Sequence, residues 1–203
     1  MAYFIHDTAI IGAEFRYLQG GIKSIDPKKY GPPILPKDLY IGPYAIIGLN
    51  CVLGEGVVID AYCKIDPGAR IDTNTLITYR ATVAAGVSIG RDCIIGGNVS
   101  EQSVVGNNCR VFGKLVHKHL DSTISWDFHN LPEPGVTIHD NSLVGHDSTL
   151  IGGIEVGPNS YVCSGAIVTK NVPPLHIAFG MNNIVHFSQW KGELANNPIF
   201  QNR

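Results

Sequence analysis

Three of the eight histidines fall within one polar stretch near the middle of the chain, 114-KLVHKHLDSTISWDFHNLPEPG-135. They are His117, His119 and His129, and Asp121 follows the first two closely. An imidazole titrates near neutral pH, so histidine is well matched to taking a proton from a hydroxyl or an amine. A neighbouring carboxylate can hold the ring in one tautomer. The stretch therefore contains the residue types of a general-base site.

The segments on both sides of this stretch follow a repeat of six. An aliphatic residue recurs at every sixth position from Ile41 to Ile95, and after a register change near residue 99 the series resumes from Ile138 to Val168. A small residue often follows four positions later, and Gly, Asp or Asn supplies corners that need a positive φ. A period of six fits neither an amphipathic helix nor a long amphipathic strand. It is typical of an all-β fold, the parallel β-helix, in which each hexad forms one side and one corner of a triangular prism.

Four cysteines share the small position of the hexads. Neither their spacing nor their setting matches a disulfide framework or a CxxC-type zinc site. Cysteine at such a position behaves as a small buried residue. We therefore expect buried, unpaired thiols at Cys51, Cys63, Cys93 and Cys109.

The repeat also suggests how the chain is divided. Residues 1–180 are predicted to form the β-helix domain, with a capping insert at 17–34 and a catalytic loop at about 117–135. Insertions at the ends of a solenoid usually cap it. Residues 181–203 are predicted to form a C-terminal tail that packs on the prism or on a neighbouring subunit.

The bulk properties exclude several classes of partner. The 203 residues are 44% hydrophobic and carry a net charge of −2, without a basic block that would bind nucleic acid or an anionic membrane. No apolar run approaches the roughly 20 residues needed to span a bilayer. The first residues lack the pattern of a signal peptide. These features predict a cytoplasmic protein that binds neither nucleic acid nor membrane.

With the hexads in place, 150-LIGGIEVGPNSYVCSGAIVTKNVPP-174 resembles the closing signature of the left-handed β-helix, hexapeptide-repeat acyltransferases. The resemblance covers roughly residues 41–180 and implies left-handed coils. It also implies a homotrimer with active sites between neighbouring prisms. The implied reaction moves an acetyl or other short acyl group from acetyl-CoA, or a similar thioester, to a hydroxyl or an amine. The implied acceptor is small and polar: a sugar, a nucleotide sugar, an amine or an antibiotic-like alcohol.

The resemblance places the general base on the loop that interrupts the hexads. Alignment on the resumed repeat selects His119, whereas alignment on the Ser-Thr pair at 122–123 selects His117. The His146–Asp147 step is a third candidate, because some members of the family carry a His-Asp pair at this hexad position. All three histidines remain candidate catalytic residues.

The same resemblance implies a groove for the thioester arm. Backbone amides of the SGA step are expected to face the pantetheine, and the following Thr-Lys pair the pyrophosphate or adenine. After residue 174 the chain has no Arg or Lys near the expected phosphate position until Lys191, so an acyl-carrier protein is a second candidate donor. The candidate cofactor-binding residues are Gly145, Ser164, Gly165, Ala166, Thr169 and Lys170.

Two other functions compete with acyl transfer. The VGH step at 144–146 resembles the metal-binding strand of γ-class carbonic anhydrases, but Ile151 stands where that pattern has its second histidine. A catalytic zinc needs three protein ligands and an open position, so we expect no metal. The remaining alternative is a β-helix scaffold without catalysis.

Overall fold

The computed structural model describes residues 3–13, 16–18, 22–24, 31–117 and 134–200. Short strands dominate it, and 3₁₀ helices occur at Phe187–Gln189, Glu193–Asn196 and Pro198–Phe200. None of the helices in these described ranges is long and apolar enough to cross a membrane. In chain order the strands are β1 (Phe4–Ile5), β2 (Ile10–Ala13), β3 (Arg16–Leu18), β4 (Ile22–Ser24), β5 (Leu39–Ile41), β6 (Ile46–Gly48), β7 (Val52–Leu53), β8 (Val57–Ile59), β9 (Lys64–Ile65), β10 (Arg70–Ile71), β11 (Leu76–Ile77), β12 (Thr82–Val83), β13 (Ser88–Ile89), β14 (Ile94–Ile95), β15 (Asn98–Val99), β16 (Val104–Val105), β17 (Arg110–Val111), β18 (Lys114–Val116), β19 (Thr137–Ile138), β20 (Leu143–Val144), β21 (Thr149–Ile151), β22 (Glu155–Val156), β23 (Tyr161–Val162), β24 (Ile167–Val168), β25 (His176–Phe179) and β26 (Asn183–His186).

Successive strands belong to three different sheets, which form the faces of a prism. Face 1 has the order β1-β5-β8-β11-β14-β17-β20-β23-β25-β26, face 2 the order β2-β6-β9-β12-β15-β18-β21-β24, and face 3 the order β7-β10-β13-β16-β19-β22. Neighbouring strands within the prism pair in parallel; for example, Leu76 of β11 lies opposite Ile94 of β14. We number the coils 1 to 7 from the face 1 strands β5, β8, β11, β14, β17, β20 and β23. The predicted parallel β-helix is confirmed.

The hexad aliphatics form the core. Ile47, Ile77 and Val144 are fully buried, and they belong to one continuous cluster that runs along the prism. Each coil buries its aliphatics against the coils before and after it, so a coil is stabilised mainly by its neighbours.

The small inward residues add a hydrogen-bonded ladder where face 3 turns into face 1. The Thr75 Oγ1, Ser142 Oγ and Ser160 Oγ atoms each donate to a backbone carbonyl of the following coil at 2.8–3.0 Å. The thiols of Cys93 and Cys109 do the same at 3.1 and 3.2 Å. The buried hydroxyl or thiol of each of these small side chains therefore has a hydrogen-bond acceptor.

The prediction for the cysteines is confirmed. Cys51, Cys63, Cys93 and Cys109 are buried and free. Burial raises the pKa of the Cys51 and Cys63 thiols to about 11, so both stay protonated at neutral pH. The structure adds one feature to the prediction, because these thiols also donate hydrogen bonds, as Cys51 does to the Asp66 carbonyl at 3.2 Å.

The register change has a specific position and occurs twice. The corner from face 1 to face 2 contains four residues in coil 3, between Ile77 and Thr82, but only two in coil 4, between Ile95 and Asn98. Coil 5 repeats the short corner with residues 112–113 alone. Val99 therefore lies opposite Val83 and is itself a core aliphatic of the repeat. It is not the small residue that follows an aliphatic by four positions.

The two ends of the prism differ. Strands β1 and β2 pair with β5 and β6 and form a partial coil ahead of coil 1, and β3 and β4 form an antiparallel hairpin. At the other end, β26 turns back antiparallel to β25. Phe200 is buried and stacks on Phe187 at a centroid distance of 5.0 Å.

Candidate active site

The first candidate histidine, His117, lies where the chain leaves face 2 in coil 5. Its Nδ1 is 3.3 Å from Glu101 Oε2, and the two side chains are 19% and 43% exposed. Glu101 occupies the equivalent corner of coil 4, so the coil stacking itself brings the carboxylate to the imidazole. A carboxylate at one ring nitrogen orients the imidazole and leaves the other nitrogen to accept a proton.

A second carboxylate lies in the same row of corners. Asp66 of coil 2 is buried, and its Oδ1 is 2.8 Å from Lys64 Nζ. Burial raises the pKa of the Asp66 carboxyl above its ordinary value; Lys64 opposes this shift and the charge of Glu101 adds to it. His117, Glu101, Asp66 and Lys64 therefore form one row of titratable groups along the corner between faces 2 and 3.

His146 lies on a different corner, between faces 1 and 2 in coil 6. Its ring stacks on Phe112 of coil 5 with a centroid distance of 4.5 Å and an interplanar angle of 16°. The residue is exposed, and Asp147 beside it adopts a positive φ of 56°. The stack fixes the ring plane of His146 while leaving its nitrogens accessible.

The predicted cofactor segment lies one coil beyond His146 on this corner. A Cβ on Gly145 would lie 2.6 Å from the Ser164 nitrogen, so the two corners approach closely only because residue 145 is glycine. The Gly165 N–H donates to the His146 carbonyl at 2.9 Å, and the Ala166 N–H donates to Cys163 at 3.2 Å. Within the described ranges no acceptor faces the N–H of the exposed Ser164. One backbone donor is therefore available for an amide carbonyl of a pantetheine arm.

The structure thus divides the predicted site residues between two corners. Gly145, His146 and the Ser164–Ala166 step share the corner between faces 1 and 2. The other group lies at the opposite edge of face 2: His117, Thr169 and Lys170. Lys170 is exposed there, whereas the Thr169 N–H donates to Asn182 Oδ1 at 2.8 Å. The candidate His119 lies outside the described residues.

The sequence reasoning missed Glu101 and Phe112. Both lie one coil away from a candidate histidine in space, although they are 16 and 34 residues away in the chain. Counting back one shortened coil from His117 reaches Glu101, so the repeat held a usable signal for that residue. Nothing in the pattern marks Phe112, because its contact with His146 depends on the short corner of coil 5.

The metal alternative gains no second ligand from the fold. In the ranges the structure describes, no three His, Cys, Asp or Glu side chains group as metal ligands would. Ile151 lies at the outer edge of β21 and is exposed, one coil side away from His146.

Comparison with known proteins identifies the repeat. The bacterial transferase hexapeptide (six repeats) family matches residues 135–170, and the hexapeptide repeat of succinyl-transferase matches residues 68–100. The bifunctional protein GlmU of Methylococcus capsulatus is 26% identical over 175 residues, which cover 86% of this chain and 37% of that protein. GlmU of Ruthia magnifica is 28% identical over 176 residues, 86% of this chain and 38% of that protein. The chain therefore spans less than two fifths of the length of these curated relatives.

A solved structure with the same fold is the UDP-N-acetylglucosamine acyltransferase from Campylobacter jejuni. It superposes with a TM-score of 0.53 at 15% identity and covers 94% of this chain and 80% of that chain. At this identity the similarity establishes the fold alone. Taken with the two repeat matches, it shows that the chain is a left-handed β-helix built from hexapeptide repeats.

Proposed function

We propose that this protein is an acyltransferase that moves a short acyl group from a CoA thioester to a hydroxyl or amine of a small polar acceptor. His117 acts as the general base. The observation that carries this proposal is the pairing of His117 with Glu101 at the point where the hexads are interrupted.

The chemistry follows from that pair. The Glu101 carboxylate lies beside Nδ1, and Nε2 of His117 takes the proton as the acceptor oxygen or nitrogen attacks the thioester carbonyl. The new C–O or C–N bond forms, the C–S bond breaks, and the proton passes from His117 to the departing thiolate. The products are the acylated acceptor and free thiol, so atoms and charge balance.

The corner with Ser164 supplies the complementary half of the site. A backbone N–H without a protein acceptor can bind an amide or a developing oxyanion. His146 lies between this donor and the short corners, where it contacts the acyl end of the donor. Lys170, exposed on the opposite edge of face 2, is a candidate partner for donor phosphates of a neighbouring protomer.

Because the two halves lie on different corners of one prism, we infer that each site is shared between protomers of a homotrimer. A three-fold axis parallel to the prism keeps each coil at its own height. His117 in coil 5 and Ser164 in coil 7 are then offset by two coil spacings, or about 10 Å. Two protomers can therefore place these groups around one thioester.

The outer surface of face 1 is a second candidate contact surface, apart from face 2, whose two edges would meet neighbouring protomers in such a trimer. Its outward residues are apolar in six of the seven coils, whereas faces 2 and 3 carry mostly polar or charged residues at the same positions. Such an apolar sheet surface usually marks an interface. The six apolar residues are Tyr40, Val58, Leu76, Ile94, Leu143 and Tyr161.

A thiol-release assay with acetyl-CoA tests the proposal across amino sugars, nucleotide sugars and small alcohols. We expect His117→Gln to lower kcat by about 10²- to 10⁴-fold, the usual contribution of a general base. His139→Gln is the matched control, because His139 also pairs with a glutamate, Glu155 at 3.1 Å, but on another corner. It should act like the wild type.

The same assay separates the alternatives. If His117→Gln stays within tenfold of the wild type while His119→Gln or His146→Gln loses activity, the assignment of the base is wrong. If no acceptor releases thiol above hydrolysis and calorimetry detects no binding of the CoA thioester, the scaffold alternative replaces the enzyme.

A further inference from the structure

An imidazole breaks the repeat at the C-terminal end of the prism. At the corner where face 3 turns into face 1, coils 6 and 7 place the fully buried Ser142 and Ser160. Strand β25 continues face 1 after coil 7, and there the residue aligned with Ser160 is His176, whose N–H donates to the Ser160 Oγ atom at 3.3 Å. Its side chain is half-buried, because β25 is followed by β26 and not by another coil.

A second histidine lies directly opposite the first. Strand β26 runs antiparallel to β25, and His176 is paired with His186. Residues directly opposite each other in an antiparallel pair carry their side chains on the same face of the sheet. The two ring centroids are 5.2 Å apart, and the ring planes are at 80° to each other. The closing hairpin, β25 and β26, therefore holds two imidazoles side by side.

The Nδ1 atom of each ring has a partner in its own segment of the chain. His176 Nδ1 is 2.8 Å from the Pro174 carbonyl oxygen, and His186 Nδ1 is 2.8 Å from Ser188 Oγ. Because the strands are antiparallel, Pro174 and Ser188 lie at the same end of the pair, so both Nδ1 atoms turn toward that end. A carbonyl oxygen can only accept, so the neutral ring of His176 carries its proton on Nδ1 and keeps a lone pair on Nε2.

The Nε2 atoms are left for a ligand. Within the described ranges, neither His176 Nε2 nor His186 Nε2 has a hydrogen-bond or ion-pair partner. A histidine that binds a metal usually has its other ring nitrogen hydrogen-bonded to a carbonyl, a carboxylate or water, which fixes the tautomer and the ring orientation. The closing hairpin provides such a partner twice, a carbonyl for one ring and a hydroxyl for the other.

Packing holds His186 in place. It is the N-cap of the 3₁₀ helix Phe187–Gln189, and its ring centroid lies 4.7 Å from that of Phe187. The Phe187 N–H donates to the Leu175 carbonyl at 3.0 Å, and the Phe187 ring stacks on the buried Phe200. The two imidazoles therefore sit on a packed end of the prism, as a preorganised ligand pair requires.

The spacing of the two rings fits one metal ion. Zinc binds an imidazole nitrogen at about 2.0–2.1 Å and the ring centroid lies about 1.2 Å behind Nε2, so a tetrahedral zinc ion would separate two centroids by about 5 Å. The separation of His176 and His186 is 5.2 Å. Neutral imidazole nitrogens suit Zn²⁺, Cu²⁺ and Ni²⁺, whereas Mg²⁺ and Ca²⁺ take oxygen ligands.

We propose that His176 and His186 bind one Zn²⁺ ion through their Nε2 atoms. No third His, Cys, Asp or Glu side chain of the described ranges joins them, so water completes the coordination and the ion exchanges with solvent. The ligands come from two strands, so the ion joins β26 to β25 and stabilises the closing hairpin. This site is separate from the carbonic-anhydrase-like position of His146, and it does not depend on the proposed acyl transfer.

The test measures metal binding to untagged protein, because a histidine tag would itself bind zinc. Calorimetric titration with Zn²⁺ gives the affinity, and Mg²⁺ is the metal control. His176→Asn and His186→Asn each remove Nε2, while the asparagine amide keeps a polar group near the position of Nδ1. His139→Asn is the matched control, because His139 Nε2 already lies 3.1 Å from Glu155 at another level of the prism. Electron paramagnetic resonance with Cu²⁺ counts the nitrogen ligands.

We expect the wild type to bind one Zn²⁺ per chain with a micromolar dissociation constant and to leave Mg²⁺ unbound. Loss of an outer-shell partner costs about 10- to 100-fold in metal affinity, so loss of a ligand in either Asn variant should cost about 100-fold or more. His139→Asn should bind zinc as the wild type does. Cu²⁺ should show two nitrogen ligands in the wild type, and zinc should raise the Tm of the wild type but of neither Asn variant at these two ligands.

Three results would overturn the inference. Wild-type affinity in both His176→Asn and His186→Asn would place the ion elsewhere, and loss in only one of them would leave a single histidine and no shared site. Binding only at millimolar zinc would make the metal an adventitious ion only. If the His variants fail to fold, Ser188→Ala decides, because it removes the partner of His186 Nδ1 on an exposed residue. It should weaken zinc binding about tenfold, and unchanged affinity there would reject the site.

Discussion

A composite active site predicts that two inactive variants restore each other. His117→Gln removes the proposed base at the edge between faces 2 and 3. Ser164→Trp fills the donor groove at the other edge of face 2, on an exposed residue where the added ring disturbs no core contact. Each variant alone should form an inactive homotrimer. Co-expression should yield mixed trimers in which some sites combine an intact base with an intact groove.

The expected recovery follows from the two-corner geometry. If each site takes its base from one protomer and its groove from the next, random 1:1 mixing leaves about one quarter of the sites intact in a cyclic trimer. Recovery should follow the product of the two variant fractions and peak at equal amounts. A protein that carries both substitutions, mixed 1:1 with the wild type, gives a second measure of whether sites are shared. It should retain about one quarter of the activity if sites are shared and about one half if each protomer holds a whole site.

Thiol release provides the activity, and native mass spectrometry confirms that mixed trimers have formed. Mixed trimers without recovered activity, together with one-half activity in the double-variant mixture, would place the whole site within one protomer. In that case the inference of a shared site would be wrong, and His117 and the Ser164 corner would have to act on one thioester within a single prism.

Three further predictions concern particular residues. Gly97→Ala should lower the free energy of unfolding by about 3 kcal/mol and Tm by about 6–12 °C, because the new Cβ overlaps a carbonyl of the next coil. Gly31→Ala is the control and should have the Tm of the wild type, because a Cβ on Gly31 meets nothing within 4 Å. Glu101→Gln should lower kcat about fivefold, as expected for a part-exposed ion pair of about 1 kcal/mol, and should leave KM unchanged; a raised KM with kcat intact would exclude a positioning role. Burial raises the pKa of the Asp66 carboxyl, so the folded chain holds this proton more tightly than the unfolded chain. The free energy of unfolding should therefore fall as the pH rises from the ordinary carboxyl pKa toward the raised one, and urea titrations of Asp66→Asn should lack that fall.

Most of the fold could be predicted from the sequence because each hexad repeats one physical requirement. An aliphatic such as Ile47 must point inward, and a small residue such as Cys51 must leave room beside it. Short-range spacing therefore determines which residues form the core. The hand of the coils and the proposed trimer depend on interactions that spacing does not encode, and they entered only through family resemblance.

The candidate site was less predictable because it depends on which corners align along the prism. His117 and His146 are both conspicuous in the sequence, but only the stacking order shows that they lie on different corners. Glu101 meets His117 because β15 pairs with β18 with Val99 opposite Leu115, so that the residues two positions after this pair share one corner. Spacing that is regular over most of the chain thus predicts the core well, whereas the contacts of the candidate residues depend on which coils stack on each other.

Local departures from the repeat suggest where function is added to a repetitive fold. A regular coil satisfies its own backbone and presents the same small corner at every level, which leaves no concave surface. The interruption of the hexads between β18 and β19 and the short corners at 96–97 and 112–113 both break this regularity, and both fall within coils 4 and 5. A three-fold assembly would hold these levels side by side, with the candidate base of one prism at the same height as the short corners of the next.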